Sequence, residues 1–147
     1  MKTDKEKIAA MKVFRSCRRA GACSRRNKQY GIHLIWEDAE QQLLSLENRY
    51  EYLSVDKYVI MPNHIHVVLI LESDAAGASP RPTLTDIVCA YKSLTTRECK
   101  KNGFDGKLFQ TSFYEHIIRC REDYEEIEKY IYENPIRWYY DELYTVE

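Results

Sequence analysis

The chain contains no run of 18 or more uncharged apolar residues. Its longest such run, Val67 to Leu71, is the size of a strand, so no membrane-spanning helix is expected. The opening Met1-Lys2-Thr3-Asp4-Lys5-Glu6-Lys7 lacks the apolar centre of a secretory signal, which makes cytoplasmic residence the expectation. Cysteine is sparse and unpatterned. The five residues Cys17, Cys23, Cys89, Cys99 and Cys120 form no Cys-x-x-Cys pair, which argues against a zinc ribbon or a disulfide scaffold and leaves reduced thiols serving as small apolar side chains. Internal repeats are absent, and the net charge of −1 gives no overall bias toward acidic or basic partners.

What is present is a chain of 147 residues with 44% apolar content, enough for one domain around one core. The near-zero charge conceals an asymmetry. Residues 1–30 carry ten Lys or Arg against two acids, a local +8, whereas residues 113–147 carry four basic and ten acidic residues, a local −6. A basic segment on an acidic body is a candidate contact for nucleic acid. Residues 1–29 show no clean period and are read as a weakly ordered or helical basic arm, with residues 30–147 as the folded domain.

Along that domain, Tyr30 to Trp36 reads as a short strand, and Asp38 as the cap of a helix striped by Ala39, Leu43, Leu46 and Tyr50. Two β-rich runs, Tyr52 to Met61 and His64 to Leu71, are separated only by Pro62-Asn63, which predicts an antiparallel hairpin. Residues 73–82 are small, polar and Pro-containing, a connector. A second helix is expected from Thr85 or Asp86 to Asn102-Gly103, with Ile87, Ala90, Tyr91 and Leu94 on one side and Lys92, Arg97, Lys100 and Lys101 on the other. Phe109 to Ile118 reads as a strand. A last helix begins near Glu122 or Asp123, and Pro135 should limit it so that Asn134 lies on its final turn. Mixed strands and helices of this kind form an α+β layer arrangement with an antiparallel sheet.

Two segments carry chemistry. In Pro62-Asn63-His64-Ile65-His66-Val67, strand geometry projects His64 and His66 to one face while Ile65, Val67 and Leu69 face the core. Paired imidazoles on a rigid strand are ready ligands for a divalent metal; two are too few for a closed structural zinc site, so an open site is expected. The nucleotide hydrolases with a run of three alternating histidines are excluded, because Val68 occupies the third position. In Glu128-Lys129-Tyr130-Ile131-Tyr132-Glu133-Asn134-Pro135, Tyr130 and Asn134 share a helix face, so one helix can supply both an attacking phenol and a neutral oxygen ligand. A phenol, with its pKa near ~10, needs a phosphate already polarised by a metal. Tyr132 is the nearby alternative nucleophile. His116 and Arg119 on the strand, and Lys92, Arg97 and Lys101 on the second helix, are candidate DNA contacts.

The segments YVIMPNHIH (58–66), AYKSLTTRE (90–98), LFQTSFYEHIIR (108–119) and DYEEIEKYIYENPIRW (123–138) resemble the single-tyrosine transposases of the HUH superfamily, and within these the REP-associated tyrosine transposases. The resemblance runs from about Tyr50 to Trp138. It implies a ferredoxin-like α+β fold, an antiparallel sheet with helices on one face. It further implies Mg²⁺ or Mn²⁺ held by His64, His66 and Asn134. Tyr130 would cleave single-stranded or hairpin DNA and form a 5′-phosphotyrosine link. Such proteins usually open with a long strand of the YFVTICT kind. Nothing before Tyr30 matches it, and Tyr30 to Trp36 is read as a shortened substitute.

The expected function is therefore metal-dependent DNA transposition, with DNA as partner, no membrane, and a homodimer admitted as an assembly. The competing reading, favoured by the missing first strand, is a degenerate or domesticated protein that binds hairpin DNA without cutting it. A replication-initiator or relaxase-type nickase fits 147 residues poorly.

Overall fold

The computed structural model describes residues 6–15, 32–72 and 81–138. Four strands and three helices follow one another as β1 (Glu6–Arg15), α1 (Ile32–Arg49), β2 (Leu53–Ile60), β3 (His64–Glu72), α2 (Leu84–Lys101), β4 (Phe109–Ile118) and α3 (Arg121–Trp138). The strands form one antiparallel sheet in the order β2-β3-β1-β4. This is the ferredoxin-like α+β arrangement expected from the sequence.

Alternation along the two central strands divides the sheet. Ala9, Met11 and Val13 of β1, with Ile65, Val67 and Leu69 of β3, face α1 and α2. They form the main core with Ile35, Ala39, Leu43 and Leu46 of α1 and Ile87, Val88 and Tyr91 of α2. Each fully buried aliphatic side chain here contributes about 1.5–3 kcal/mol relative to exposure. The Tyr91 hydroxyl donates to the Ala39 carbonyl at 3.1 Å, so α1 and α2 are joined within the core; burial pushes its phenol well above the ordinary range. Ala10, Val68 and Ile118 point the other way and meet Ile131 of α3 in a smaller cluster. The single-face arrangement thus holds for α1 and α2, and α3 covers part of the opposite face.

The second face is held to α3 from both sheet edges. The β2–β3 register shifts between Val55 and Lys57. Next to this irregularity, the Asp56 carboxylate accepts from the Tyr124 hydroxyl and Lys57 pairs with Glu128 at 3.3 Å. On the β4 side, His116 pairs with Asp123 at 2.7 Å.

Several expectations are corrected. Residues 6–15 are a central strand rather than an arm: β3 and β4 both supply ladder hydrogen bonds, and Ala9, Ala10, Met11 and Val13 are buried. Residues 16–29 of the arm lie outside the described residues, as do residues 73–80 of the connector. Ile32 to Trp36 is helical instead of a strand: Ile35 extends the Ala39, Leu43, Leu46 stripe by one turn. Asp38 is consequently interior to α1 rather than at its start, and accepts from the Asn102 carboxamide at 3.1 Å. Helix α2 begins one residue before the expected Thr85. Thr83 is the N-cap, and its hydroxyl and the Asp86 carboxylate exchange hydrogen bonds with each other's backbone N–H. It closes at Asn102, as expected, with Gly103 at φ +100, a conformation that favours glycine. Pro135 does not end α3. The helix continues to Trp138, with Pro135 exposed and its missing N–H costing one hydrogen bond to the preceding turn.

Candidate active site

The paired strands align Val59, His66, Lys12 and Tyr114 in one row across β2, β3, β1 and β4, on the face that carries α3. His64 lies two residues before His66 on the same face, at the first position of β3. The hairpin turn places it there: Met61 and His64 exchange backbone hydrogen bonds around Pro62-Asn63 at 2.8 and 3.3 Å. Both imidazoles are buried.

Helix α3 lowers Tyr130 and Asn134 onto this surface from one stripe, with Ile127 and Ile131 seated beside them. The Tyr130 ring meets the His66 ring edge-on, centroids 5.2 Å apart at 63°. The Asn134 carboxamide nitrogen lies 2.8 Å from His64 Nε2. On the other side of that ring, Nδ1 is 2.6 Å from Asn63 Oδ1. An Nδ1–H tautomer lets Asn63 Oδ1 accept and leaves the Nε2 lone pair facing Asn134. Tyr132, the alternative tyrosine, is 79% exposed and turned away from the imidazoles.

His64, His66 and Asn134 bring two imidazoles and an amide, donor types that divalent cations accept, to one face of the sheet. Buried Nδ1 of His66 has no hydrogen-bond partner among the described residues, and burial, with Lys12 nearby, pushes its pKa down to about 4, so the ring is neutral at pH 7. The Asn63 contact orients His64 as an outer-shell residue orients a metal-bound imidazole. A half-turn of the Asn134 carboxamide presents oxygen where nitrogen now sits. Among the described residues, no three His, Cys, Asp or Glu side chains cluster as metal ligands, so any site here depends on the amide and on open positions.

Sequence reasoning did not find Lys12 or Asn63. Lys12 Nζ lies 3.0 Å from the Tyr130 phenolic oxygen and 5.3 Å from its ring centroid. Its signal was available as an alternation in which Ile8, Ala10 and Lys12 share a face, but the alanines hid the strand. The other predicted contacts divide. His116 is held by Asp123, Arg119 is exposed just beyond β4, and Lys101 pairs with Glu98 at 3.0 Å. Lys92 directs its ammonium at the carbonyls of Gln110, Thr111 and Ser112, at 2.8, 3.0 and 3.2 Å, which occupies all three of its donors and makes it a tether for β4. Arg97, Lys100, Lys101 and Lys107 line an open groove between α2 and the start of β4. By strand register, that start lies at the same end of the sheet as His64.

The fold and this face define a ferredoxin-like α+β protein with two strand histidines opposed by a helix tyrosine and asparagine. No protein-family model matches the chain. It is 32% identical over 134 residues to an uncharacterized protein of Haemophilus influenzae strain Rd, a match covering 81% of this chain and 74% of that protein. Among solved structures it is similar to a REP-associated tyrosine transposase bound to a REP hairpin (TM-score 0.66, 18% identity, 93% of this chain and 71% of the other). It is also similar to a candidate transposase from Deinococcus radiodurans R1 (TM-score 0.55, 15% identity, 90% and 97%). The chain belongs to the family of the Haemophilus protein, and its fold is that of the REP-associated tyrosine transposases. No described helix is long and apolar enough to cross a membrane.

Proposed function

We propose that this protein is a metal-dependent DNA strand transferase that cleaves and rejoins single-stranded DNA, with Tyr130 as nucleophile. One observation carries the reading: the Tyr130 phenol packs on His66 while Asn134, one turn later, reaches His64. The likeness to a transposase bound to a REP hairpin supports DNA as the partner. His64, His66 and Asn134 would hold Mg²⁺ or Mn²⁺, which when bound polarises an oxygen of the scissile phosphate. The Tyr130 oxygen attacks phosphorus, its proton passes to solvent, and the phosphorus–O3′ bond breaks with the electron pair leaving on O3′, which takes up a proton. The resulting 5′-phosphotyrosine keeps the bond energy, so the 3′-hydroxyl of a second strand end can displace Tyr130 without ATP. The groove with Arg97, Lys100 and Lys101, together with the basic N-terminal segment, would hold the DNA through its phosphates.

The non-cutting alternative drew its support from an absent first strand. With β1 central in the sheet, that support is gone. The test is incubation of a labelled hairpin-bearing single strand with Mg²⁺ or Mn²⁺ and denaturing electrophoresis. Wild-type protein should retain label, Tyr130→Phe should not, and Tyr132→Phe should. Hairpin binding with no adduct under either metal would favour the non-cutting protein.

A further inference from the structure

We propose that Lys12 is a further catalytic residue: its ammonium orients the Tyr130 phenolic oxygen and neutralises the negative charge that gathers on it. This rests on the reading of Tyr130 as nucleophile.

Lys12 sits in the middle of β1, a central strand, paired with His66 on one side and Tyr114 on the other. Neighbours on its face are Ile8 and Ala10, packed beneath α3 with Val68 and Ile131. Lys12 itself is half-buried, so its ammonium gains from a polar partner within the fold. One such partner is the oxygen of Tyr130, at 3.0 Å. With Nζ 5.3 Å from the ring centroid, the ammonium lies toward the hydroxyl end of the ring.

The chemistry of the attack gives this contact its use. As the Tyr130 O–P bond forms, the phenolic O–H proton must leave. Lys12, already protonated, cannot take it; the proton goes to solvent, and O3′ acquires one from solvent as P–O3′ breaks. Throughout, Lys12 remains an ammonium and donates one hydrogen bond to the phenolic oxygen. That bond strengthens as the oxygen approaches phenolate, so it is worth more during attack than in the resting protein. In the reverse step, the same ammonium stabilises Tyr130 as a leaving group, so cleavage and rejoining both depend on it. The arrangement also divides labour. His64, His66 and Asn134 serve the phosphate from one side of Tyr130, and Lys12 serves the nucleophile from the adjoining strand.

The experiment uses the full chain as wild type, Lys12→Met, Lys12→Arg and Tyr130→Phe. Single-turnover formation of the covalent adduct is measured with a labelled hairpin-bearing single strand and Mn²⁺, alongside DNA affinity and thermal melting. Lys12→Met should slow adduct formation on the order of 10²-fold, as loss of one charge-stabilising donor does. DNA affinity should change less than about threefold, and Lys12→Arg should recover most of the lost rate because it keeps the charge. A second readout needs no catalysis and no folded variant at position 12. In metal-free wild-type protein labelled with ¹⁵N-lysine, one ammonium resonance should be protected from exchange with water and should lose that protection in Tyr130→Phe. A Lys12→Met rate within about threefold of wild type, or no protected ammonium sensitive to Tyr130→Phe, overturns the role of Lys12. A wild-type protein that forms no adduct overturns the nucleophile reading itself, and this proposal with it.

Discussion

Asn134 Nδ2 and His64 Nε2 lie 2.8 Å apart although 70 residues separate them in the chain. The contact closes a surface that neither element could form alone: β3 fixes the imidazoles, and α3 brings the amide down with the tyrosine one turn earlier.

That geometry predicts the ranking of metal-site variants. His64→Ala and His66→Gln should each weaken Mn²⁺ binding by at least about 100-fold. Asn63→Ala, which only frees the His64 ring, should weaken it by roughly 10-fold. Isothermal calorimetry or manganese paramagnetic resonance measures this directly. Unchanged Mn²⁺ affinity in His66→Gln would mean that the cation, if bound at all, sits elsewhere.

Buried His66 also predicts a pH effect in the metal-free protein. Its pKa is about 4 when folded, below the ordinary 6.5, so the unfolded chain takes up the proton first as pH falls. Stability should therefore be unaffected by this group above pH 6.5 and decline between 6.5 and about 4. After allowance for solvent screening, the loss is on the order of 2 kcal/mol. Urea unfolding across that range, compared between wild type and His66→Gln, isolates the term. Parallel curves for the two proteins would contradict it.

The cations of α2 should separate by role. Arg97→Ala and Lys100→Ala should weaken hairpin binding, and each lost phosphate contact should reduce the slope of log K against log salt by roughly 0.7–0.9. Lys92→Met should instead lower the melting temperature, because three β4 carbonyls lose their donor, with the salt slope unchanged. A reduced salt slope in Lys92→Met would show its ammonium on DNA after all.

Much of this site was legible in the sequence because its parts are local. The Pro62-Asn63 turn and the His64-x-His66 alternation lie within five residues, and Tyr130 and Asn134 are one helical turn apart. Phe109–Ile118 was readable as a strand from end to end. What escaped depends on tertiary packing. Strand β1 is Glu-Lys-Ile-Ala-Ala-Met-Lys-Val-Phe-Arg, and covered faces on both sides leave it without an apolar–polar alternation. Its lysine is used by a tyrosine 118 residues away. Tyr30 to Trp36 looked like a strand by composition, but from Ile32 onward the stripe continued by Ile35 overrides that preference. Pro135 was expected to stop α3, yet the helix runs through it to Trp138, where a proline so near the helix end removes a single ladder bond.

The central claim is that Tyr130 forms the covalent bond to DNA, and identifying the modified residue tests it most directly. Protein incubated with a short hairpin-bearing strand and Mn²⁺ would be digested with nuclease and protease and sequenced by mass spectrometry. A nucleotide attached through a 5′-phosphate to Tyr130 is expected. Attachment at Tyr132 or any other residue, or no attachment in protein that demonstrably binds the hairpin, would contradict it.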